Sequence, residues 1–322
     1  MGLVDLPFDI ANIRCENPEV AARTRIGWFR SVSNIPRAFA VQSMVAEIAH
    51  ETGKDPKDVL LDLIGPARHV DLSKSVKELW NYGEPIEFYP IDAGRLRRVV
   101  EMVAEKGEWG RTLPPGHGLG IAAHRSFVSY IATVVEVAVD KDGNLTIPRV
   151  DTVIDCGTYV NPERIKSQME GAVIMGISLA KHGEITFKGG KVQQGNFDDF
   201  PVARVDEAPL VTNVYIMEPA ADTPPSGAGE PGVPPVAPAL VNAIFAATGK
   251  RLRAMPIGQQ LAMAGAAGGA QATRPRSEPQ QESVQGAKPA TSRTQTTGSQ
   301  AQPPKVQQMN QEAEDKAKQG GK

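Results

Sequence analysis

Cysteine is scarce in this sequence, which contains only Cys15 and Cys156 and no C-x-x-C pair. Zinc and iron–sulfur sites require clustered cysteine or histidine ligands, so this chain supplies neither kind of site alone. Cys156 lies in an apolar segment, where a cysteine is usually a small buried residue and not a nucleophile. We therefore expect no metal ligands among the side chains of this chain.

Long apolar runs and an excess of charge are also missing. No run of eighteen apolar residues occurs, so no membrane span is expected. The net charge is −2 and apolar residues make up 41% of the chain, which argues against nucleic acid as a partner. The N-terminus lacks a basic region followed by an apolar one, so it does not predict a secretory signal. We expect a cytoplasmic protein, or a periplasmic one if an upstream segment directs export.

Glycine and proline, in contrast, are abundant, with 31 and 26 residues among 322. The length suits one large or two modest domains. From residue 258 onward the chain is rich in Gln, Ala, Ser, Thr, Pro and Gly and has no aromatic residue, which predicts disorder. We predict an α+β fold in three parts: a helical part over 1–110, an α+β part over 111–257 and a disordered polar tail over 258–322.

Local sequence signals predict the elements of both folded parts. Apolar periodicity, Asp or Asn N-caps and terminal glycines predict helices. Their expected ranges are 35–53, 56–63, 93–106, 162–180 and 236–247. Runs of Val, Ile and Tyr predict strands over 126–139, 145–154 and 211–218, and a short hairpin over 184–194. Asp142-Gly143 is typical of a type I′ hairpin turn between the first two strands.

The most informative segment runs from Pro225 to Gly249. It places one carboxylate, Glu230, in a Gly- and Pro-rich loop just ahead of a helix, where glycines allow a ligand to approach the backbone closely. A stiff loop that holds a single acid at this position could serve a catalytic base. A glutamate near a helix start is also often only a favourable charge on the helix dipole, and spacing alone favours that simpler interpretation.

Other candidate sites are weaker. Gly116-His-Gly118-Leu-Gly120 is similar to a dinucleotide-binding loop, but it follows prolines and precedes a strand, so we reject that interpretation. Asp198 and Asp199 fit a solvated loop better than a cation site. Gln168 carries an amide that suits a pterin edge, although it could equally face water. Arg30 could anchor an anion or stack on a neighbouring aromatic ring.

An ordered set of short motifs extends over residues 1–257, and the set is more specific than any single member. In chain order the motifs are Asp9-Ile-Ala-Asn-Ile-Arg14, Gly27-Trp-Phe-Arg-Ser-Val-Ser33, Arg95-Leu-Arg97, Trp109-Gly110, Leu113-Pro-Pro-Gly-His-Gly-Leu-Gly-Ile-Ala-Ala-His124, Ser126-Phe-Val-Ser-Tyr130, Val153-Ile-Asp-Cys-Gly157, Val160-Asn-Pro162, Gln168-Met-Glu-Gly171, Asn196-Phe-Asp-Asp-Phe200, Glu207-Ala-Pro209, Gly229-Glu-Pro-Gly232 and Asn242-Ala-Ile-Phe-Ala-Ala-Thr-Gly-Lys-Arg251. Together they resemble the C-terminal portion of the molybdopterin-binding large subunit of the xanthine dehydrogenase family, and most closely its isoquinoline 1-oxidoreductase beta-subunit branch.

This resemblance implies a molybdenum hydroxylase that adds water-derived oxygen to a carbon of an N-heterocycle or an aldehyde. It implies that Glu230 is the general base and that Arg30, Gln168 and Gly229 contact the cofactor. Ser31-Val-Ser33 stands where much of the family has a glycine-rich continuation. The implied cofactor is molybdenum–molybdopterin, as a cytosine dinucleotide, and no protein side chain is expected to ligate the metal.

The resemblance also implies partners. These are a small-molecule substrate, the N-terminal half of the molybdopterin subunit, and a 2Fe–2S small subunit that carries the iron–sulfur clusters and receives the electrons. Three segments that hold the cofactor in the family, Met-Gly-Gln-Gly, Thr-Gly-Gly-Ser and Gly-Gly-Gly-Phe-Gly, do not occur in this sequence. The alternative is therefore a non-catalytic remnant or assembly module that lacks the molybdenum cofactor. An unrelated all-β secreted binding domain fits the hairpins but not the three N-terminal helices.

Overall fold

The computed structural model describes residues 3–16, 18, 26–76 and 79–261. Five helices are present in this part of the chain: α1 (Asn34–Thr52), α2 (Pro56–Ile64), α3 (Ala93–Lys106), α4 (Pro162–Lys181) and α5 (Val236–Thr248). The strands are β1 (His117–Ser126), β2 (Ser129–Val139), β3 (Leu145–Asp155), β4 (Phe187–Lys188), β5 (Lys191–Val192) and β6 (Val211–Ile216). The predicted α+β class is confirmed. No helix among these residues is both long enough and apolar enough to cross a bilayer.

The chain divides into two units, of which the first comprises residues 1–71 and 81–280. The second comprises residues 72–80 and 281–322, and only 72–76, 79 and 80 are described in it. There, the carbonyl of Leu72 accepts hydrogen bonds from the N–H groups of Ser75 and Val76, which closes a turn. Of the predicted tail, residues 262–322 lie outside the described residues, and Gly258–Gln260 form a 3-10 turn.

Local caps explain where the helices begin and end. The Asp55 side chain accepts the N–H groups of Lys57 and Asp58 at the start of α2. Asp92 and Asn161 accept in the same way at the starts of α3 and α4. These bonds satisfy donors that have no partner inside a helix. The predicted helices are confirmed to within one residue or two.

A mixed four-stranded sheet lies at the centre, in the order β1-β2-β3-β6. The pairs β1–β2 and β2–β3 are antiparallel, whereas β6 lies parallel to β3. A parallel neighbour requires a crossover, and α4 lies in the connection between β3 and β6. This topology brings the end of β3, the start of α4 and the segment after β6 toward the same region of the molecule.

Two details of the predicted hairpins were wrong. The strand predicted over 126–139 is in fact the end of β1, a tight turn at Phe127 and Val128, and β2. Those two residues have φ values of 51° and 55°, a conformation that sequence signals normally assign to Gly or Asn. In the turn between β2 and β3 only Gly143 has a positive φ. A type I′ turn needs a positive φ at both central residues, so the predicted type is wrong. The Asp140 side chain closes this turn by accepting the N–H groups of Asp142 and Asn144.

Apolar side chains pack on both faces of the sheet, because successive residues of a strand point to opposite sides. Ile121 and Ala123 of β1 join a core cluster with α3, which includes the buried residues Leu96 and Val99. Ala122, between them, joins a second cluster with α5. The glycines at 118 and 120 let α5 approach β1 closely. A Cβ atom on Gly120 would lie 2.1 Å from the Ala239 carbonyl oxygen.

Candidate functional site

Arg30 connects three separate parts of the chain. Its Nε donates to the Gly229 carbonyl at 2.8 Å, and its Nη2 contacts the same oxygen. Nη2 also donates to the backbone carbonyl and the side-chain Oε1 of Gln168, both at 3.1 Å. One guanidinium therefore binds two distant segments: Gln168 follows Arg30 by 138 residues and Gly229 follows it by 199.

Glu230 is held by the residue that follows Arg30. The backbone N–H of Ser31 donates to Glu230 Oε1 at 2.9 Å, and the Ser31 hydroxyl donates to the Glu230 carbonyl oxygen at 2.5 Å. These two bonds fix both the carboxylate and the main chain of Glu230. The structure thus places all four candidate residues in one cluster.

Ser31 is a residue of this cluster for which the sequence analysis predicted no role. It is fully buried, and its φ is 71°, followed by 50° at Val32. Non-glycine residues seldom adopt such left-handed conformations, least of all a β-branched one. The only sequence signal was that Ser31-Val-Ser33 stands where much of the resembled family has a glycine-rich continuation, and glycine adopts this conformation freely.

The electrostatics of the cluster follow from one charge pair. Desolvation lowers the pKa of Arg30, and the negative charge of Glu230 opposes that shift. An arginine has so high a pKa that it stays protonated under such a shift. Arg30 therefore supplies a fixed positive charge beside the carboxylate.

Packing beneath the loop at 225–232 makes it rigid. The Ser129 hydroxyl donates to the Gly227 carbonyl at 2.6 Å, and the Ser226 N–H donates to the Cys156 carbonyl at 2.8 Å. Gly232 lies directly on α4, since a Cβ there would be 2.9 Å from the Met169 sulfur. The loop and the Gln168 turn of α4 are thus held in a fixed relation.

The outer side of the cluster is open and polar. Gln168 and Gly229 are exposed, and a Cβ atom added to Gly229 would meet no atom within 4 Å. The Gln168 amide accepts from Arg30 through its oxygen, which leaves its NH₂ group to donate outward. An open glycine backbone, an outward amide donor and a half-buried carboxylate are groups that fit a polar heterocyclic cofactor such as a pterin. In the described part of the chain, no group of three His, Cys, Asp or Glu residues could hold a metal ion.

The remaining sequence candidates have structural roles. Gly116–Gly120 leads into and forms part of β1 and does not form a strand-to-helix loop. Asp199 accepts the N–H groups of Gly195 and Asn196, which closes a surface loop. Cys156 is buried, and its burial raises the pKa of the thiol to about 11, so it carries no thiolate near neutral pH.

Comparisons with known proteins bear on this cluster. A family model described as a molybdopterin cofactor-binding domain matches residues 44–209, just over half of the 322 residues. A membrane-bound aldehyde dehydrogenase (pyrroloquinoline-quinone) of Gluconacetobacter polyoxogenes is 32% identical over 255 residues, which are 76% of this chain and 31% of that protein. The isoquinoline 1-oxidoreductase subunit beta of Brevundimonas diminuta is 29% identical over 239 residues, 73% of this chain and 27% of that protein. The chain thus spans about a third or less of the length of these relatives.

A solved structure with a similar fold is the aldehyde oxidoreductase from Desulfovibrio gigas. The TM-score is 0.54, and the match covers 74% of this chain and 41% of that one. The two sequences are 12% identical in this match, so the likeness concerns the fold alone.

Proposed function

Because this chain belongs to the molybdopterin cofactor-binding domain family, we propose that it forms part of the large subunit of a molybdenum hydroxylase. The resemblance to this family that the ordered motifs predicted is confirmed. The proposed reaction is hydroxylation of a carbon in an N-heterocycle or an aldehyde, with oxygen from water. The observation that supports it best is the cluster in which Arg30 and Ser31 hold Gln168, Gly229 and Glu230.

In this proposal Glu230 is the general base. Its Oε1 accepts the Ser31 N–H, whereas its Oε2 makes no hydrogen bond to any described residue and would be the oxygen that takes up the proton. The second bond, from the Ser31 hydroxyl to the Glu230 carbonyl, prevents the loop from moving as the proton is taken up. A positioned base of this kind typically accelerates a reaction by about 10² to 10⁴-fold.

Three residues would hold the cofactor, which we propose is molybdenum–molybdopterin as a cytosine dinucleotide. The Gln168 amide would hydrogen-bond the pterin edge, and Arg30 would keep that amide in place. The bare backbone at Gly229 would allow close approach. When bound, the cofactor supplies a metal centre that accepts two electrons from the substrate. The roles of these residues are to orient it and to keep a proton acceptor beside it.

The open outer side of the cluster motivates the proposed partners. A polypeptide equivalent to the N-terminal half of the subunit would cover Gln168 and Gly229, and a small 2Fe–2S subunit would receive the electrons. Trp28 and Phe29, next to Arg30, are exposed by 79% and 49% and offer an apolar contact area at this position.

Replacement of Glu230 by Gln tests the base. The change keeps the shape and the Ser31 hydrogen bond but removes the proton acceptor. We expect kcat to fall by about 10²-fold or more while molybdenum content stays unchanged. Glu170→Gln, an exposed glutamate on α4 close to Gln168, is the matched control and should leave turnover intact. Unchanged turnover of Glu230→Gln in a molybdenum-loaded complex would remove the base assignment.

A second candidate is an assembly module without cofactor, and the exposure of Gln168 and Gly229 favours it. Such a protein would associate with its partner but carry no molybdenum. Elemental analysis of the complex co-purified with the remaining subunits separates the two proposals. Molybdenum in the complex supports the hydroxylase, and its absence from every assembly supports the module.

A further inference from the structure

A cavity of about 400 Å³, which we call the α5 groove, lies at the C-terminal end of α5. It is lined by residues from the ends of α1 and α5, the start of α2, the loop before β1, and β1 itself, among them His50, Trp109, Leu119, Phe245 and Arg251. Glu230 lies before the other end of α5. A helix of 13 residues is about 20 Å long, so the groove is separate from the Glu230 cluster. Its volume falls in the range of small-molecule sites.

Aromatic rings in fixed positions form the walls of the α5 groove. The indole N–H of Trp109 donates to the carboxylate of Asp55, at 2.9 Å from Oδ2, and this bond holds the ring in one orientation. The His50 ring meets the Phe245 ring edge-on, with 4.8 Å between centroids. None of these three rings therefore needs to become ordered when a flat ligand enters.

Arg251 provides the polar group of the groove. Its guanidinium lies 3.6 Å from the centre of the Phe245 ring, and its Nη1 donates to Asn242 Oδ1 at 3.0 Å. The other guanidinium N–H groups have no hydrogen-bond acceptor among the described residues. The stacking and the one hydrogen bond fix the plane of the group and leave a pair of donors that matches a carboxylate.

The acids near Arg251 are bound by other basic side chains. Glu47, the nearby acid, is bound by Arg253, with Nη2 at 2.7 Å from Oε2. Arg111 and His117 both contact Glu136, which lies outside the lining.

Two further charged residues, Asp55 and Lys54, line the groove. Asp55 is occupied as the N-cap of α2 and as the acceptor of Trp109. Lys54, whose closest acidic oxygen in the described structure is 4.0 Å away on Asp62, adds a second positive charge to the lining. The groove therefore offers aromatic walls and a net positive charge.

We propose that the α5 groove is a binding site for a small aromatic carboxylate. The ring of the ligand packs against Trp109 and the apolar floor at Leu119, and its carboxylate accepts two hydrogen bonds from the open donors of Arg251. This site is additional to the proposed reaction centre and does not depend on the cofactor.

Calorimetric titration of the full chain with benzoate tests this site. Acetate and benzamide are the comparison probes, because the first lacks the ring and the second lacks the charge. We expect saturable binding of benzoate and binding of either comparison probe that is at least tenfold weaker. Arg251→Met keeps the apolar stem but removes the donors, and it should weaken benzoate binding by roughly tenfold or more.

Two further variants make the result decisive. Arg164→Met removes an exposed arginine at the start of α4 that does not line the groove, so it should bind benzoate as the unmodified chain does. Ala246→Leu fills part of the groove and leaves Arg251 intact, so it should also abolish binding. This variant tests the site independently if Arg251→Met does not fold. The proposal is overturned by absence of saturable benzoate binding, or by binding that both groove variants retain.

Discussion

Val32 is the residue at which the candidate site departs furthest from ordinary backbone geometry. Its φ of 50° follows 71° at Ser31, and together they aim the Ser31 N–H at Glu230. Such conformations carry a strain of about 1 to 3 kcal/mol per residue, and strain of this kind concentrates at functional sites. We therefore interpret the Ser31–Val32 turn as strain that is retained because it positions the carboxylate.

Replacement of Val32 by Gly should increase stability. Release of the strain outweighs the added chain entropy of glycine, so we expect the free energy of unfolding to rise by about 1 kcal/mol in urea titrations. Val202→Gly, in an exposed loop where φ is not positive, is the control and should be neutral or destabilising. A loss of stability in Val32→Gly as large as in the control would show that the turn is not strained.

The candidate site could be predicted from the sequence only in part. The Gly- and Pro-rich loop made Glu230 a candidate base, although spacing alone favoured a simple charge on the helix dipole. The ordered motifs predicted its role and those of Arg30, Gln168 and Gly229. The contacts of Ser31 could not be predicted, because its bonds to Glu230 join positions 199 residues apart and depend on a backbone conformation that serine rarely adopts. A role of this kind depends on tertiary structure and leaves no local pattern.

Glu207 makes the stability of the protein depend on pH. Desolvation raises its pKa, but hydrogen bonds from Lys181 and His182 outweigh this and lower it to about 2. Because the pKa is lower in the folded state than its ordinary value of 4.5, the carboxylate stabilises the fold above pH 4.5. That contribution is lost as the pH falls from about 4.5 toward 2.

Glu207→Gln should therefore destabilise the protein in a pH-dependent way. We expect a loss on the order of 2 kcal/mol at pH 7, which allows for partial solvent screening, and a loss about half as large or less at pH 3. Urea titrations at the two pH values measure it. Asp206→Asn, at the exposed neighbour, should show no such difference, and an equal loss at both pH values for Glu207→Gln would contradict the ionic explanation.

At the scale of elements, the contact between α5 and β1 depends on glycine. A Cβ atom at position 120 would lie 2.1 Å from the Ala239 oxygen and 2.3 Å from the Ala243 nitrogen, both of them backbone atoms of α5. Backbone atoms in a packed helix cannot move aside as a flexible side chain can. The approach of α5, and with it the position of the Glu230 loop that precedes it, therefore requires a residue without a side chain.

Two glycine-to-alanine variants should change stability in opposite directions. Gly120→Ala should lower the free energy of unfolding by about 3 kcal/mol or more because α5 must shift. Gly171→Ala, in the middle of α4 with open space around its Cα, should raise it by up to about 1 kcal/mol through helix propensity. Thermal and urea unfolding of the pair give the comparison. A stable Gly120→Ala protein would show that α5 does not pack as closely as described.

Helices were predicted accurately because their signals are local. Asp55, Asp92 and Asn161 each cap a helix with a bond to a residue two or three positions ahead. The turn at Phe127 and Val128 was missed because tertiary contacts hold it. The Phe127 carbonyl accepts from Gly227, and Val128 is buried. The parallel placement of β6 beside β3 likewise has no local sequence signal.

At the scale of the molecule, the sheet joins the two predicted folded parts. The helical part over 1–110 and the α+β part over 111–257 share one core cluster, since Leu96 and Val99 of α3 pack with Ile121 of β1 and Val153 of β3. The other face of the same strands packs against α5. We propose that the boundary near residue 110 marks a change in the type of element and not a border between folding units.

A shared core predicts one cooperative transition for the first unit. Leu96→Ala on one face of the sheet and Leu240→Ala on the other remove fully buried side chains, which are 2% and 0% exposed, and each should lower the free energy of unfolding by about 2 to 5 kcal/mol. Because both clusters are built on the same strands, each variant should move the whole transition, with circular dichroism and tryptophan fluorescence remaining coincident. If the two parts were independent domains, Leu96→Ala would shift an early phase and leave a later one in place, and Leu240→Ala would do the reverse.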